Sequence, residues 1–380
     1  MILLDYSQQE LIGFFPDQKP YKVRQLYRWL TKGVDFEGMT DIDKAWREKL
    51  SAEHIACPVR IFRTFESKDG TKKFLYRLSD GNLIEGVLMS YHHGNTLCVS
   101  TQVGCRMGCA FCASTLDGLV RNLSAGEILG QVTAVNAFLG GDANQRRITN
   151  IVLMGSGEPL DNFDNTVKFL DLVSSPDGLN VSQRNISLST CGIAPKMIEL
   201  ADRGYSVNLT LSLHSPRQEK RRNLMPISNA YPLTEVIEAC KYYFLKTGRR
   251  VIFEYVLVKG ENDSDEDARL LSRLTRGFSA HVNLIRLNPV KERKLLPTEE
   301  DAAREFLAKL AKLGVSATIR RQMGVDIEGA CGQLRRRVFK KWKRLKVKSL
   351  RASAADIPCF QAEKSTRASL KKKSNTFTTT

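Results

Sequence analysis

Between residues 94 and 319, stretches typical of strands alternate with stretches typical of helices, and this alternation restricts the possible folds more than any other feature. Such strand–helix repeats produce parallel strands that are joined by helices. The chain is therefore expected to form an α/β protein with a parallel sheet or barrel, whose active-site groups lie at the carboxyl ends of the strands. Strands are predicted over 97–101, 150–154, 185–189, 206–213, 251–258, 282–287 and 315–319. Helices are predicted near 124–139, 162–173, 195–203, 232–246, 263–275 and 299–313.

The segments before this core have different patterns. Val23, Leu26, Tyr27 and Leu30 recur at the spacing of one helix face, which predicts helices near the start of the chain. The next segment alternates apolar and polar side chains and is broken by Asp-Gly pairs, which is typical of antiparallel hairpins. We therefore expect three parts: a helical domain over 1–58, a hairpin extension over 59–93 and the α/β core over 94–334.

Positive charge is concentrated at the carboxyl end. The 380-residue chain has a net charge of +17, and the segment from Arg335 onward, with 15 basic and 2 acidic residues, contributes +13 of it. Residues 335–350 predict a basic helix, and residues 351–380, rich in Ser, Thr and Lys, predict a disordered tail. Such a block usually binds a polyanion, most often nucleic acid, and a merely solvating tail is the alternative.

The apolar residues, although 42% of the chain, never approach the ~18–20 uninterrupted positions of a membrane span. The first residues, MILLDYSQQE, place Asp5 early and have no basic segment, so they do not resemble a signal peptide. We therefore expect a cytoplasmic protein that has no membrane partner. In that reducing compartment, the nine cysteines are more often metal ligands or catalytic groups than disulfides.

Three of the cysteines are close together in the segment CRMGCAFC, which follows the first predicted core strand. Three thiolates with the spacing C-x₃-C-x₂-C can bind three irons of a [4Fe–4S] cluster and leave the fourth iron open to a substrate or cofactor. The alternative is structural zinc, which prefers four protein ligands and would need Cys98 as the fourth. The motif predicts a metal cofactor held by Cys105, Cys109 and Cys112.

This motif, with aromatic Phe111 before its last cysteine, resembles the signature of the radical S-adenosylmethionine (SAM) superfamily. Further motifs, in a matching order, resemble the RlmN/Cfr family of RNA adenine methyltransferases over about residues 20–345, but not over the last thirty residues. The resemblance implies an incomplete (β/α)6 TIM-like radical SAM barrel with a small N-terminal helical domain and a basic C-terminal extension. The motifs are TLCVSTQVGC (96–105), MGSGEP (154–159), LSTCG (188–192), LSLH (211–214), LNP (287–289) and DIEGACGQL (326–334).

The activity that this resemblance implies is dual-specificity RNA methylation. It would make 2-methyladenosine in 23S rRNA near the peptidyl-transferase centre and in tRNA beside the anticodon. The implied cofactors are a [4Fe–4S] cluster and two SAM molecules per turnover, and the implied partner is a flavodoxin- or ferredoxin-type electron donor. We expect a monomer that binds RNA through basic residues of the N-terminal helices and through the basic C-terminal segment.

Two alternatives to this function stay open. Within the family, the alternative is methylation at C8 of adenine, as in the Cfr branch, although Pro159 favours the C2 branch. From another class, the alternative is a non-catalytic RNA-binding protein that zinc stabilises. The methylated carbon of the product distinguishes C2 from C8 methylation. The identity of the bound metal, iron or zinc, distinguishes the enzyme from the RNA-binding protein.

Three residues outside the cysteine motif receive roles from the resemblance. Cys331 would carry the methyl group, Cys98 would form a transient disulfide with Cys331 to release the product, and Glu85 would take the C2 proton. Adenine C2 is electron-poor and cannot attack SAM directly, so a radical route is required, and it begins with methyl transfer to a thiolate. Considered singly, the two cysteines are more typical of inert thiols, and Glu85 of a solvated hairpin carboxylate.

The remaining motif residues are expected to bind SAM. In the family the G-x-G-E-P run holds the amino group of SAM, which implies that role for Gly157 and Glu158, although the run alone predicts only a turn. Ser156 replaces a methionine that is common in relatives, which would alter the affinity for SAM without removing a ligand. The other expected SAM-pocket residues are Ser189, Ser212, Leu213, His214 and Asn288, of which the histidine alone would more often be structural. No role is expected for Cys57, Cys191, Cys240 and Cys359.

Overall fold

A computed structural model describes residues 1–142 and 144–334, so the predicted basic helix, the tail and Cys359 lie outside the described residues. The strands are β1 (Val59–Glu66), β2 (Lys72–Leu78), β3 (Leu83–Tyr91), β4 (Gly94–Cys98), β5 (Gln102–Gly104), β6 (Leu119–Asn122), β7 (Ile148–Leu153), β8 (Ile186–Thr190), β9 (Asn208–Ser212), β10 (Val251–Leu257), β11 (Ala280–Arg286) and β12 (Ala317–Ile319). The α-helices are α1 (Gln8–Phe14), α2 (Pro20–Thr31), α3 (Lys44–Glu53), α4 (Ala125–Phe138), α5 (Phe163–Ser174), α6 (Ala194–Asp202), α7 (Gln218–Leu224), α8 (Leu233–Thr247), α9 (Asp265–Leu274) and α10 (Glu300–Lys312).

The core of the protein is a run of parallel strands in the order β4-β7-β8-β9-β10-β11-β12. Each neighbouring pair in this run is parallel, and a helix lies in each connection: α4, α5, α6, α8, α9 and α10. Within the described residues, the edges of the ten-stranded sheet are β1 and β12, so the barrel is open. The expected incomplete (β/α)6 barrel is confirmed, and β12 adds a short final strand to it.

The antiparallel strands β1, β2 and β3 extend this sheet at its first edge. Strand β3 pairs with β4, with Val87 opposite Cys98, so the predicted hairpins continue directly into the barrel. Strand β4 ends at Cys98, three residues before the predicted end, and its successor Val99 donates its main-chain N–H to the carbonyl of Val152. Cys98 therefore lies at the carboxyl end of the first barrel strand, where active-site groups of such barrels are found.

The N-terminal helices pack on the barrel and share its core. The predicted apolar face of α2 is buried, and one continuous cluster of buried hydrophobic residues extends from Leu3 to Val315. Asp5 accepts a hydrogen bond from the main-chain N–H of Gly126, at 2.6 Å, at the start of α4. A Cβ atom at Gly126 would lie 2.7 Å from the main chain of Leu4, so this close approach requires glycine. None of the helices in the described residues is long and apolar enough to cross a membrane.

The chain that follows β12 crosses from the last strand to the antiparallel strands. The carboxylate of Asp326 accepts a hydrogen bond from Ser67 Oγ at 2.5 Å, and Asp69 accepts one from the main-chain N–H of Gly324 at 2.9 Å. Lys73 Nζ donates to the carbonyl of Glu328 at 3.3 Å. These contacts hold residues 324–334, which include Cys331, over the open side of the barrel.

Candidate active site

The three motif cysteines lie in the loop that joins β5 to β6. At the end of β5, where the pairing with β6 is irregular, Gly104 has a φ angle of +82° and its Cβ position would lie 2.0 Å from the carbonyl oxygen of Gly118. Only glycine is compatible with this conformation and this contact. The two ends of the cysteine loop therefore lie close together.

The donor set of this loop fits an iron–sulfur cluster. Cys105 and Cys109 are buried and Cys112 is half-buried, and all three are free thiols. Burial raises the pKa of all three thiols, that of Cys105 to about 12, so binding of a metal would have to displace their protons. In the described part of the chain, no three His, Cys, Asp or Glu side chains converge on one point as a single metal ion requires. Three thiols match the protein ligands of a [4Fe–4S] cluster with one open iron, whereas structural zinc needs a fourth protein ligand.

The cysteine loop touches two other segments through its main chain. The N–H of Ala110 donates to the carbonyl of Leu224 at 2.8 Å, at the end of α7. The N–H of Ala113 donates to the carbonyl of Gly332 at 2.7 Å, and Ser114 Oγ donates to the carbonyl of Leu334 at 2.9 Å. The segment that carries Cys331 is thus attached directly to the loop that carries the cysteine motif.

Cys98 and Cys331 line one small cavity of about 50 Å³. Cys98 is buried and Cys331 is exposed, and both are thiols in this structure. Burial, and then the neighbouring Cys331, raises the pKa of Cys98 to about 12, so its thiol is protonated at neutral pH. Other residues of the cavity wall are Val87, Met89, Tyr91, Val152, Met154, Asn288, Arg320 and Leu334.

Asn288, expected in the SAM pocket, contacts the main chain of Cys331. Its Nδ2 donates to the carbonyl of Cys331 at 3.1 Å, and its Oδ1 accepts from Gln322 Nε2 at 3.1 Å. Both the nitrogen and the oxygen of the Asn288 amide therefore form hydrogen bonds with the segment that follows β12. This arrangement makes Asn288 a support for the Cys331 segment at the carboxyl end of β11.

Glu85 is a buried residue of β3, 7% exposed, and the alternative of a solvated hairpin carboxylate is therefore wrong. Its Oε1 lies 3.5 Å from Lys73 Nζ, which is buried as well. Side chains alternate along a strand, so Glu85 shares a face of β3 with Val87 and Met89, which line the cavity of the two cysteines. Sequence reasoning missed Lys73, although a lysine within an apolar alternating strand was a signal for a buried ion pair.

Gly157 and Glu158 lie directly after β7. Gly157 has a φ angle of +111°, and a Cβ atom there would lie 2.7 Å from the main-chain nitrogen of Gln102. The buried carboxylate of Glu158 accepts main-chain hydrogen bonds from Leu160 at 3.0 Å and Cys191 at 2.7 Å. Burial raises the pKa of Glu158 although these N–H groups oppose the shift. The carboxylate thus joins the ends of β7 and β8, and it retains lone pairs for one further donor.

The other expected SAM-pocket residues lie at the ends of β8 and β9. Ser189 Oγ and Ser212 Oγ are 3.5 Å apart, and Leu213 is buried. His214 Nδ1 accepts the main-chain N–H of Val256 at 3.0 Å, and its ring packs edge-on against Phe111 of the cysteine loop, with 4.6 Å between ring centroids. Burial lowers the pKa of His214 to about 3, so the imidazole is neutral and carries its proton on Nε2. His214 therefore has the contacts expected of a structural histidine, and its ring also lies next to the cysteine motif.

Two protein-family models match this chain, one over the N-terminal helices and one over a large part of the barrel. Residues 1–56 match the model described as the ribosomal RNA large subunit methyltransferase N-terminal domain. Residues 99–271 match the model of the radical SAM superfamily, a range that contains the three motif cysteines, Gly157, Glu158 and His214.

Individual relatives are similar over most of the chain. The chain is 50% identical over 343 residues to a probable dual-specificity RNA methyltransferase RlmN of Clostridium botulinum, an alignment that covers 89% of this chain and 97% of the relative. It is 52% identical over 322 residues to the protein of the same name from Lachnoclostridium phytofermentans, covering 84% and 89%. Among solved structures, a radical SAM methyltransferase from Sphaerobacter thermophilus is 41% identical with a TM-score of 0.84, covering 88% of this chain and 99% of that one.

Proposed function

Because the chain belongs to the RlmN family of radical SAM RNA methyltransferases, we propose that it makes 2-methyladenosine in both 23S rRNA and tRNA. It is a radical SAM enzyme, and its cofactors are a [4Fe–4S] cluster and SAM. The observation that supports the proposal best is the shared cavity of Cys98 and Cys331. That cavity adjoins the loop of Cys105, Cys109 and Cys112, which would hold the cluster.

In this proposal Cys331 receives the methyl group. Its exposed sulfur attacks the methyl carbon of SAM, so that a sulfur–carbon bond forms on the protein while the sulfonium bond of SAM breaks. The cluster, when bound, supplies the one-electron chemistry that converts a second SAM into the agent that activates this S-methyl group. Asn288 supports Cys331 through its main-chain carbonyl while the activated carbon adds to C2 of the adenine.

Cys98 and Glu85 complete the transfer. Glu85 would take the proton from C2 while the adduct loses one electron, for which the oxidised cluster would be the acceptor, and Cys98 then attacks the sulfur of Cys331. The new disulfide replaces the bond between the sulfur and the transferred carbon, which takes a proton and stays on the base as a methyl group. We propose that Gly157, Glu158, Ser189, Ser212, Leu213 and His214 surround SAM at the carboxyl ends of the strands.

Lys73 places a positive charge beside Glu85. A buried carboxylate tends to hold its proton, and a neighbouring cation favours the ionised form. The ammonium of Lys73 lies 3.5 Å from Glu85 and also donates to the carbonyl of Glu328, three residues before Cys331. One lysine thus connects the proposed base to the segment of the proposed methyl carrier.

Lys73→Met is expected to separate the two halves of the reaction. RNA methylation should fall by about 10²–10⁴, the usual contribution of a general base, and the variant should lose about 3–5 kcal/mol of unfolding free energy because a buried ion pair is broken. Methylation of Cys331 should continue, since it does not use Glu85. The measurements are the mass of the Cys331 peptide and the yield of 2-methyladenosine in RNA.

Lys72→Met is the matched control for this prediction. Lys72 precedes Lys73 on β2, and it forms a surface ion pair with Glu66. Surface pairs contribute about 0–1 kcal/mol, so this variant should keep both half-reactions. Equal activity of the Lys73→Met and wild-type proteins on RNA would contradict the role of Lys73.

We further propose how the enzyme binds RNA and receives electrons. Residues 1–58 would act as an RNA-binding accessory domain, and a flavodoxin- or ferredoxin-type protein would deliver electrons to a cytoplasmic monomer. On the N-terminal helices, Lys19 and Arg24 are exposed and available to phosphates. Nearby cations are instead partly neutralised by carboxylates, in the pairs Lys22–Asp43, Arg28–Asp41 and Lys32–Asp142.

The mass of one tryptic peptide tests the proposed function. Cleavage after Arg321 and Arg335 releases residues 322–335, in which Cys331 is the only cysteine. In protein purified from cells we expect an added CH₂ on this cysteine, together with bound iron. An unmodified thiol in protein that contains zinc would support the binding-protein alternative. If the thiol is methylated, analysis of the product nucleoside separates C2 from C8 methylation.

A further inference from the structure

Arg221 of α7 is fully buried, with 0% exposure. Its guanidinium donates hydrogen bonds only to uncharged oxygens among its described partners. Nη1 donates to Ser228 Oγ at 2.5 Å, Nη2 to the carbonyl of Cys191 at 2.7 Å, and Nε to the carbonyl of Leu213 at 3.2 Å. Over residues 1–142 and 144–334, no carboxylate lies within ion-pair distance of Arg221.

A buried cation of this kind requires an anion. Burial of a charge is strongly unfavourable unless an opposite charge accompanies it, and arginine keeps its proton even when burial lowers its pKa, as it does here. In the described part of the chain the other buried cationic residue is Lys73, which has Glu85 at 3.5 Å. The hydrogen bonds of Arg221 engage all three of its nitrogens but include no direct ion pair, and the buried carboxylate of Glu158 is connected to it only through Cys191, which bonds both residues.

The place of Arg221 in the fold indicates where that anion would be. The end of its helix bonds to the cysteine loop, since the carbonyl of Leu224 accepts the N–H of Ala110. Pro226 packs against Gly108 of the same loop, at 3.4 Å from the Cβ position of that glycine. Arg221 lies three residues before Leu224 on the same short helix, so the structure places it next to the loop that would hold the cluster.

We propose that Arg221 is a built-in counter-cation of the [4Fe–4S] cluster and raises its reduction potential. A cluster held by three thiolates is anionic, and reduction adds one more negative charge to it. A fixed positive charge beside the loop stabilises the reduced form more than the oxidised form, and so it favours entry of the electron. Arg221 acts through charge as a tuning residue and does not touch the substrate. The proposal concerns the cluster alone, so it holds whichever adenine carbon is methylated.

Arg221→Met tests the proposal by removing the charge. The midpoint potential of the reconstituted cluster, measured by anaerobic titration with detection by electron paramagnetic resonance, should become more negative than in the wild-type protein. Arg222→Gln is the matched control: it removes the same charge from the next residue, which is exposed, so solvent screening should leave the potential unchanged.

Ser228→Asp tests the same charge while Arg221 stays in place. A carboxylate at this position would pair with the guanidinium and cancel its charge, so the potential should again become more negative. Ser228→Asn, of similar size and uncharged, should keep the wild-type potential. This pair of variants decides the question if Arg221→Met does not fold or does not bind iron.

The outcomes separate a tuning role from a purely structural one. Matching negative shifts in Arg221→Met and Ser228→Asp, with no shift in the two controls, would support the proposal. A wild-type potential in iron-loaded Ser228→Asp would overturn it, whatever happens to thermal stability, and would leave Arg221 as a connector between α7 and the ends of β8 and β9. Because the readout is a potential, loss of RNA methylation for another reason cannot imitate the expected result.

Discussion

Cys331→Ala is expected to abolish RNA methylation in a protein that still folds and still binds its iron–sulfur cluster. The side chain is exposed, so its truncation should change the unfolding free energy by no more than about 0.5 kcal/mol. The variant has no atom to receive the methyl group, and loss of a covalent nucleophile commonly lowers rates by about 10⁴-fold or more. The measurements are the 2-methyladenosine content of RNA, the iron content and the thermal unfolding of the purified variant.

Cys57→Ala is the control for this variant. Cys57 is a buried cysteine that has no expected role in the reaction, so its removal should leave methylation intact. Methylation by Cys331→Ala at a rate within tenfold of the wild type would exclude Cys331 as the carrier. Loss of both methylation and iron would show instead that the Cys331 segment is needed to hold the cysteine loop, which it touches through Gly332 and Ala113.

Cys98→Ala is expected to leave the enzyme covalently attached to its RNA. Without this thiol, the bond between the sulfur of Cys331 and the carbon on the adenine has no nucleophile to break it. The replaced side chain is small and lies in the wall of the cavity that Cys331 also lines. We expect an RNA adduct that survives denaturation on a gel, and a fall in free product to a level near that of Cys331→Ala.

The raised pKa of Cys98 adds a pH dependence to this prediction. A thiol whose pKa is about 12 is almost entirely protonated at neutral pH, and its reactive thiolate increases about tenfold for each added pH unit. Release of the product by the wild-type enzyme should therefore become faster as the pH rises, if proton loss from Cys98 limits that step. The Cys98→Ala adduct should show no such increase.

A double variant provides the control. Cys98→Ala combined with Cys331→Ala should form no adduct, because the carrier sulfur is absent. Normal turnover by the single variant Cys98→Ala would remove the disulfide step from the proposed mechanism.

The amino-acid sequence was sufficient to predict the order of the barrel elements. Strand β10, predicted over 251–258, is observed over 251–257, and α8, predicted over 232–246, is observed over 233–247. Strands and helices of this length show their own hydrophobic period, so the signal is local. The short elements β5, β6 and α7 were missed. Strands β5 and β6 have only three and four residues, and α7, with the sequence QEKRRNL, has a single apolar residue, so none of them shows a hydrophobic period.

The cysteine motif and the identity of the family were also readable from the sequence, since the proposed cluster ligands lie within eight consecutive residues and the other motifs keep a recognisable order. The pairing of Cys98 with Cys331 was predicted only through the family resemblance, and no local pattern indicated it. The pairing of Lys73 with Glu85 and the contact of Asn288 with the Cys331 main chain, which also join distant segments, were not predicted.

Only the tertiary structure decided these contacts, and the physical reason is the same for each. Strand register places Glu85 opposite Leu75, diagonal to Lys73 on the same face, and no local pattern encodes that register. The segment after β12 then brings Cys331 to the cavity that it shares with Cys98, at the end of the first barrel strand. Arg221 shows this most clearly: its sequence neighbours Lys220 and Arg222 are charged and not buried, whereas its own guanidinium is buried and donates to Leu213, Ser228 and Cys191 from other segments.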